Sequence, residues 1–214
     1  MTKSSVKKRE QSFKEEIINS ITHGVGFFLS IAGLSILVIL SVHKGDPWKI
    51  TAFSIYGATL IIMFLNSTLY HGITHSKIKH FFQKLDHSSI FILIAGTYTA
   101  ITLTAMRGTW GWTLFGIIWG LAISGIIFKL IFFGRYKKIN MAIYLIMGWM
   151  ILIAIKPLIL MVPSPTLLWI IIGGLFYTIG TIFYAWQSLS YNHVIWHVFV
   201  LGGSVSHFIG MLYI

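Results

Sequence analysis

The sequence predicts an all-α integral membrane protein, a bundle of seven transmembrane helices. Of its 214 residues, 56% are hydrophobic and only 10% are charged, whereas a soluble domain carries about 25% charged residues. Apolar stretches near the length of about 20 residues that crosses the hydrocarbon core as a helix recur along the chain. They lack the alternation typical of barrel strands, and a helix satisfies its own backbone groups in lipid. A soluble α/β enzyme is therefore excluded.

The chain divides into a short polar tail and seven apolar stretches. Residues 1–16 have neither an apolar core nor a small-residue cleavage site, so they are predicted to form a cytoplasmic tail rather than a signal peptide. The fifth stretch is interrupted by Lys156 and Pro157, a charge followed by a helix breaker. A transmembrane domain over 17–214 is predicted, with spans at about 17–42, 50–71, 86–106, 110–133, 139–161, 167–186 and 193–214.

The lysines and arginines are unevenly divided between the two sides of a seven-span chain. Twelve of the sixteen fall on the side of the amino terminus and four on the other side. Because cytoplasmic loops carry the excess of positive charge, we predict a cytoplasmic amino terminus and an outside carboxyl terminus. The basic charge is thus explained by topology, and no nucleic-acid partner is expected. The predicted location is the plasma membrane, with lipids as the environment.

Polar residues inside the predicted spans point to a metal site. The chain has no cysteine but nine histidines, so a metal ligand must be His, Asp or Glu. His193 and His197 have the i, i+4 spacing that stacks two imidazoles on one helix face. His71 lies at the end of the second span, which is predicted to be on the same side of the membrane as the start of the seventh span, and so offers a third ligand. Three histidines leave one tetrahedral position for water, as in catalytic zinc sites, and zinc lowers the pKa of bound water to about 7.

Two further polar residues are candidates for catalysis at this site. Asp86 is the one acid that opens an apolar span, and Ser67 lies four residues before His71. A carboxylate there could accept a proton from water or could orient a ligand histidine, and the sequence leaves both roles open. Around His23, the stretch 16–23 is either solvated at the interface or supports the metal. His207 is too far from His197, about 15 Å along a helix, to bind the same ion.

Several motifs resemble those of the hemolysin III family, the bacterial branch of the progestin and adiponectin receptor superfamily. They are EExxNxxTH at 15–23, SxxxH at 67–71, LDHSSIF at 85–91 with AGTYT at 95–99, and HxxxH at 193–197. The resemblance implies a seven-helix fold with Zn²⁺ held by His71, His193 and His197, and with Ser67 and Asp86 near the zinc-bound water. The wider set includes alkaline ceramidases, which cleave a lipid amide.

These observations favour a zinc-dependent hydrolase of lipid amide or ester bonds that acts in membrane lipid homeostasis. The alternative is a non-enzymatic protein, either a sensor that zinc stabilises or a haemolysin-like pore. No protein-hormone ligand is expected, because the receptor members of the superfamily have a longer amino-terminal region than the short polar tail found here.

Overall fold

Helices account for nearly all of the part of the chain that the computed structural model describes, residues 11–214, and that part contains no β-strand. The predicted all-α membrane bundle is confirmed; its orientation in the membrane stays a prediction. The elements in chain order are α1 (Phe13–His43), α2 (Pro47–Gly72), α3 (Ser76–Thr102), α4 (Thr109–Ile131), α5 (Lys137–Trp149), a 3₁₀ helix (Met150–Ala154), α6 (Ile155–Met161), α7 (Ser164–Ala185) and α8 (Asn192–Met211).

Helix α1 begins at Phe13, four residues before the predicted first span. Ser12 Oγ accepts from the backbone N–H of Glu15 at 3.3 Å, and Glu15 Oε2 accepts from the backbone N–H of Ser12 at 2.7 Å. This capping box satisfies backbone donors at the helix start, so a polar segment can form the first turn. Residues 1–10 of the predicted tail lie outside the described residues.

Helix α3 differs most from its predicted span, because it begins at Ser76 rather than near Asp86. Among the described residues six spans are long and apolar enough to cross a membrane: α1, α2, α4, Lys138–Met161, α7 and α8. Helix α3 is the seventh, and its low hydropathy follows from its place in the bundle. Nearly every residue from Phe91 to Thr102 is buried or half-buried against other helices rather than facing lipid.

The fifth span is broken, as the sequence predicted, but slightly earlier in the chain. The 3₁₀ helix Met150–Ala154 separates α5 from α6 and ends three residues before Pro157. Proline lacks an N–H, and its ring clashes with the carbonyl four residues back. The distortion therefore falls in the turn that precedes Pro157.

The order of packing places α1 between the two helices that carry the predicted ligands. Helix α1 packs against α2 and α8, α2 packs against α3, α3 packs against α4, and α7 packs against α8. Helices α2 and α3 can approach each other closely because Gly96 of α3 has no side chain. A methyl group at that position would overlap Thr59 of α2. The starts of α1, α3 and α8 and the ends of α2 and α4 share one end of the bundle.

Candidate metal centre

Three histidines from two helices that are distant in sequence meet at this end of the bundle. His71 lies in the last turn of α2, while His193 and His197 lie in the first two turns of α8. One ring nitrogen of each lies within 4.8 Å of those of the other two. The Nε2 atoms of His193 and His197 are 3.1 Å apart, because the i, i+4 spacing puts both rings on one face. The structure thus brings together the three predicted ligands, whose role as ligands stays a prediction.

This donor set fits a zinc ion. With tetrahedral zinc–nitrogen distances of about 2.0 to 2.1 Å, two ligand nitrogens are about 3.3 Å apart. The His193–His197 pair already has nearly that separation, and the widest pair has to close by at most about 1.5 Å. His71 Nε2 is buried and has no hydrogen-bond partner within residues 11–214. Buried polar atoms are normally paired, so a buried nitrogen without a hydrogen-bond partner is a good candidate for a metal ligand.

Helix α1 supplies hydrogen-bond acceptors behind two of the three rings. His71 Nδ1–H donates to Glu16 Oε2 at 2.8 Å, and the same oxygen accepts from Lys79 Nζ at 3.0 Å. His197 Nδ1–H donates to the backbone oxygen of Asn19 at 3.3 Å. Carboxylate and carbonyl oxygens only accept, so both rings carry their proton on Nδ1 and keep the Nε2 lone pair for a metal.

The stretch 16–23 is thus partly directed toward the site. Its buried His23 stacks on the His197 ring, with ring centroids 3.5 Å apart and planes at 10°, and meets Phe64 edge-on at 5.1 Å. Thr22, in contrast, hydrogen-bonds to the Ile18 carbonyl of its own helix. Of the two possibilities for this stretch, support of the metal site therefore applies to one face of α1 and not to every residue of the stretch.

Asp86 and Ser67 both lie at the site, as the sequence predicted. Asp86 is 8% exposed and Ser67 is fully buried. The Asp86 carboxylate lies within electrostatic range of Ser67, His71 and Lys129. Ser67 lies next to that carboxylate, although its Oγ forms no hydrogen bond of ordinary geometry with the described part of the chain. Their catalytic roles stay predictions.

Sequence reasoning missed Lys129 as a residue of the site. By position along the chain it is one of the twelve positive charges on the amino-terminal side, yet it is 7% exposed in α4 and lies near Asp86. Tyr184 of α7 also lies within electrostatic range of Asp86. A signal was present, because Lys129 is the single charged residue of α4, and an isolated charge within an apolar span usually has a specific partner.

The remaining histidines do not join the three. His207 is buried deeper in the bundle, and its Nε2 lies 3.2 Å from the Ile170 carbonyl oxygen, as expected from its distance along α8. His87 is half-buried and stacks on Phe133 with ring centroids 5.8 Å apart. The exposed histidines are His43, His75 and His80.

The fold and this site together define a multi-pass helical membrane protein with a candidate three-histidine metal centre at one end of its bundle. The haemolysin-III related family model matches residues 11–208, so the chain belongs to that family. It is 45% identical over 202 residues to the hemolysin-3 homolog of Bacillus subtilis (strain 168), covering 94% of this chain and 95% of that protein.

Two further relatives show how far the similarity extends. Hemolysin-3 of Bacillus cereus is 48% identical over 203 residues, covering 95% of this chain and 93% of that protein. The human monocyte to macrophage differentiation factor is 29% identical over 201 residues, covering 91% of this chain and 82% of that protein. The predicted membership in the hemolysin III family is therefore confirmed, and the similarity reaches eukaryotic proteins.

Proposed function

We propose that this protein binds a zinc ion through His71, His193 and His197 and hydrolyses an amide or ester bond of a membrane lipid. The observation that carries the proposal is the group of three ring nitrogens within 4.8 Å of one another, with Asp86 and Ser67 beside it. Structural zinc sites have four protein ligands, whereas catalytic sites have three and keep one position open. A group of three in the described chain favours the catalytic type.

Each residue of the site has a defined part in the proposed reaction. When bound, zinc supplies a Lewis acid that polarises a carbonyl group and makes a water molecule more acidic. Asp86 accepts the proton of the water whose oxygen bonds to the carbonyl carbon, and returns it to the leaving nitrogen or oxygen as the carbon–nitrogen or carbon–oxygen bond breaks. The buried Ser67 hydroxyl donates a hydrogen bond to the water or to the developing oxyanion.

The position of the site favours a lipid as substrate. The three histidines lie at the ends of α2 and α8, two of the apolar spans. A lipid can therefore place its polar linkage at this end while its chains remain in the bilayer. The family resemblance to ceramidases points to the same class of bond, an acyl amide or ester next to a long alkyl chain.

The test is hydrolysis by purified protein in lipid nanodiscs with ceramides, acyl amides and phospholipids as substrates. We expect zinc-dependent release of fatty acid. Asp86→Asn should lower turnover by about 100-fold or more, as loss of a general base does, without abolishing zinc binding. Turnover that is unchanged in Asp86→Asn, or absent from zinc-loaded wild-type protein across this panel, would refute the hydrolase.

A second function is favoured by the distribution of the ligands. His71 comes from α2 and the other two histidines come from α8, so zinc would also tie two helices together in a non-enzymatic sensor. In that case zinc removal lowers thermal stability, as it would for the hydrolase too, but Asp86 is dispensable, so that Asp86→Asn has no effect. The names of the Bacillus relatives suggest a pore as a further form of this alternative, which would cause dye leakage from liposomes in place of lipid turnover.

A further inference from the structure

We infer that one face of α1 holds the metal ligands in place and that Glu16 is the positioning residue for His71. The inference rests on the proposed function, because it concerns how the zinc site is assembled. The face consists of Glu16, Asn19 and His23, which the i, i+3, i+7 spacing aligns along one side of the helix. Each of the three touches a predicted ligand, so α1 is part of the site although it supplies no ligand itself.

The contact between Glu16 and His71 restricts the ring in two ways. The 2.8 Å hydrogen bond from His71 Nδ1 places the proton on that nitrogen and directs Nε2 toward the other two histidines. A carboxylate behind a ligand histidine also makes the imidazole a better donor to the metal. Glu16 is itself held by Lys79 of α3, whose Nζ donates both to Glu16 Oε2 at 3.0 Å and to the Tyr70 carbonyl at 2.9 Å. The orientation of His71 is therefore fixed by three helices.

The neighbouring Glu15 connects the same turn of α1 to the other ligand-bearing helix. Glu15 is 2% exposed, and its Oε1 accepts from the backbone N–H of Tyr191 at 2.8 Å. Tyr191 precedes α8 in a left-handed conformation, with φ of 59°, which is unfavourable for a bulky residue. The hydrogen bond thus stabilises a strained backbone position two residues before His193.

Adjacent glutamates therefore contact the two helices that carry the ligands: Glu15 binds the start of α8 and Glu16 binds the end of α2. Since α1 packs between these helices, the rotation and register of α1 set the distance between His71 and the pair on α8. Loss of the Glu16 carboxylate should impair metal binding more than folding. A partly exposed ion pair such as Glu16–Lys79 contributes only about 0 to 1 kcal/mol to stability.

The experiment compares zinc affinity and thermal stability in Glu16→Gln, Glu16→Ala and a control variant, all purified as full-length protein in detergent. Zinc affinity is measured by competition with a chelator of known affinity, and thermal stability is measured on zinc-free protein. The control is Asp46→Ala at the other end of the bundle, because loss of an N-cap side chain typically costs about 1 kcal/mol. The Asp46 carboxylate caps α2 by accepting from the N–H groups of Trp48 and Lys49, so the change weakens a helix end far from the histidines.

We expect both Glu16 variants to bind zinc about 10 to 100-fold more weakly than wild type, with Gln less affected than Ala because its amide oxygen can still accept from His71. Asp46→Ala should keep wild-type zinc affinity whatever its melting temperature. Cobalt(II) bound in place of zinc should show altered visible absorption bands in Glu16→Gln, since the orientation of one ligand has changed.

The possible outcomes separate this inference from the proposed function. Zinc affinity within twofold of wild type in Glu16→Gln and Glu16→Ala would overturn the positioning role and leave the metal site intact. Equal losses of affinity in the Glu16 variants and in Asp46→Ala would also overturn it, because the effect would then be general destabilisation. Failure of the wild-type protein to bind zinc would instead refute the proposed function.

Discussion

Replacement of Tyr98 by phenylalanine tests how the broken fifth span is stabilised. The Tyr98 hydroxyl of α3 donates to the Met147 carbonyl at 2.8 Å and accepts from the backbone N–H of Ile151 at 2.7 Å. In an unbroken helix those two backbone groups would bond to each other, because residue 147 lies four positions before residue 151. The hydroxyl therefore fills the gap that the 3₁₀ helix opens in the backbone ladder.

The cost of the change follows from what remains unpaired. The Met147 carbonyl keeps a bond from the Met150 N–H, whereas the Ile151 N–H loses the Tyr98 hydroxyl to which it donates. A buried donor that loses its partner costs about 1 to 3 kcal/mol. We expect Tyr98→Phe to lower the free energy of unfolding by about 2 kcal/mol. This loss exceeds the average of about 0.6 kcal/mol for interhelical side-chain hydrogen bonds in membranes, because a backbone N–H cannot rotate to another acceptor.

Two other buried tyrosines provide matched controls for the same chemical change. The Tyr177 hydroxyl bonds to Ser204 Oγ at 2.8 Å, and that serine can turn to a backbone carbonyl of its own helix, so Tyr177→Phe should cost less than about 1 kcal/mol. The Tyr56 hydroxyl has no partner within the described residues, so Tyr56→Phe should be neutral or stabilising.

The assay for all three variants is reversible unfolding in mixed micelles with increasing SDS, followed by tryptophan fluorescence and circular dichroism. The expected order of destabilisation is Tyr98→Phe, then Tyr177→Phe, then Tyr56→Phe. A Tyr98→Phe protein within 0.5 kcal/mol of wild type, a margin typical of neutral substitutions, would show that the break does not depend on the hydroxyl.

Two further predictions concern the site and the contact behind it. Zinc at about 100 times its dissociation constant should stabilise the wild-type protein by about 2.7 kcal/mol, or about 5 to 10 °C in melting temperature. His71→Ala should abolish this shift, and His207→Ala should retain it. A shift that survives in His71→Ala would place the zinc elsewhere. Gly26→Ala should destabilise the protein by about 1 to 3 kcal/mol, because a methyl group there would overlap the Phe64 ring that supports His23. In the control Gly24→Ala, the methyl group would meet Thr68 at an ordinary 3.7 Å, so this change should be neutral or stabilising by up to about 1 kcal/mol. Equal effects of the two changes in chemical denaturation would contradict this reasoning.

Much of the candidate site could be predicted because its residues are defined by position along the chain. An apolar run fixes where a helix lies, and the number of spans fixes which helix ends share a side. His71, Asp86, His193 and His197 could therefore be assigned to one end of the bundle from the sequence alone. Periodicity within α8 was enough to align its two histidines, since i and i+4 always share a helix face.

Helix limits were predicted less well where local chemistry outweighs hydropathy. The capping box at Ser12 lengthens α1 into a polar segment, and α3 begins ten residues before its apolar part. A method that follows apolar runs sees only the portion of a helix that needs lipid or a core. Burial against other helices allows α3 to be less apolar than its neighbours.

By itself, the sequence determined the fold class, the family and the residues gathered at one end of the bundle. Only the tertiary structure decided that Glu16 faces His71, that Lys129 lies near Asp86 and that His23 stacks on His197. Sequence periodicity gives the relative directions of side chains on one helix, but it leaves open how that helix is rotated about its axis against the next. That rotation is set by the packing of side chains and glycines between helices, which involves residues distant in the chain.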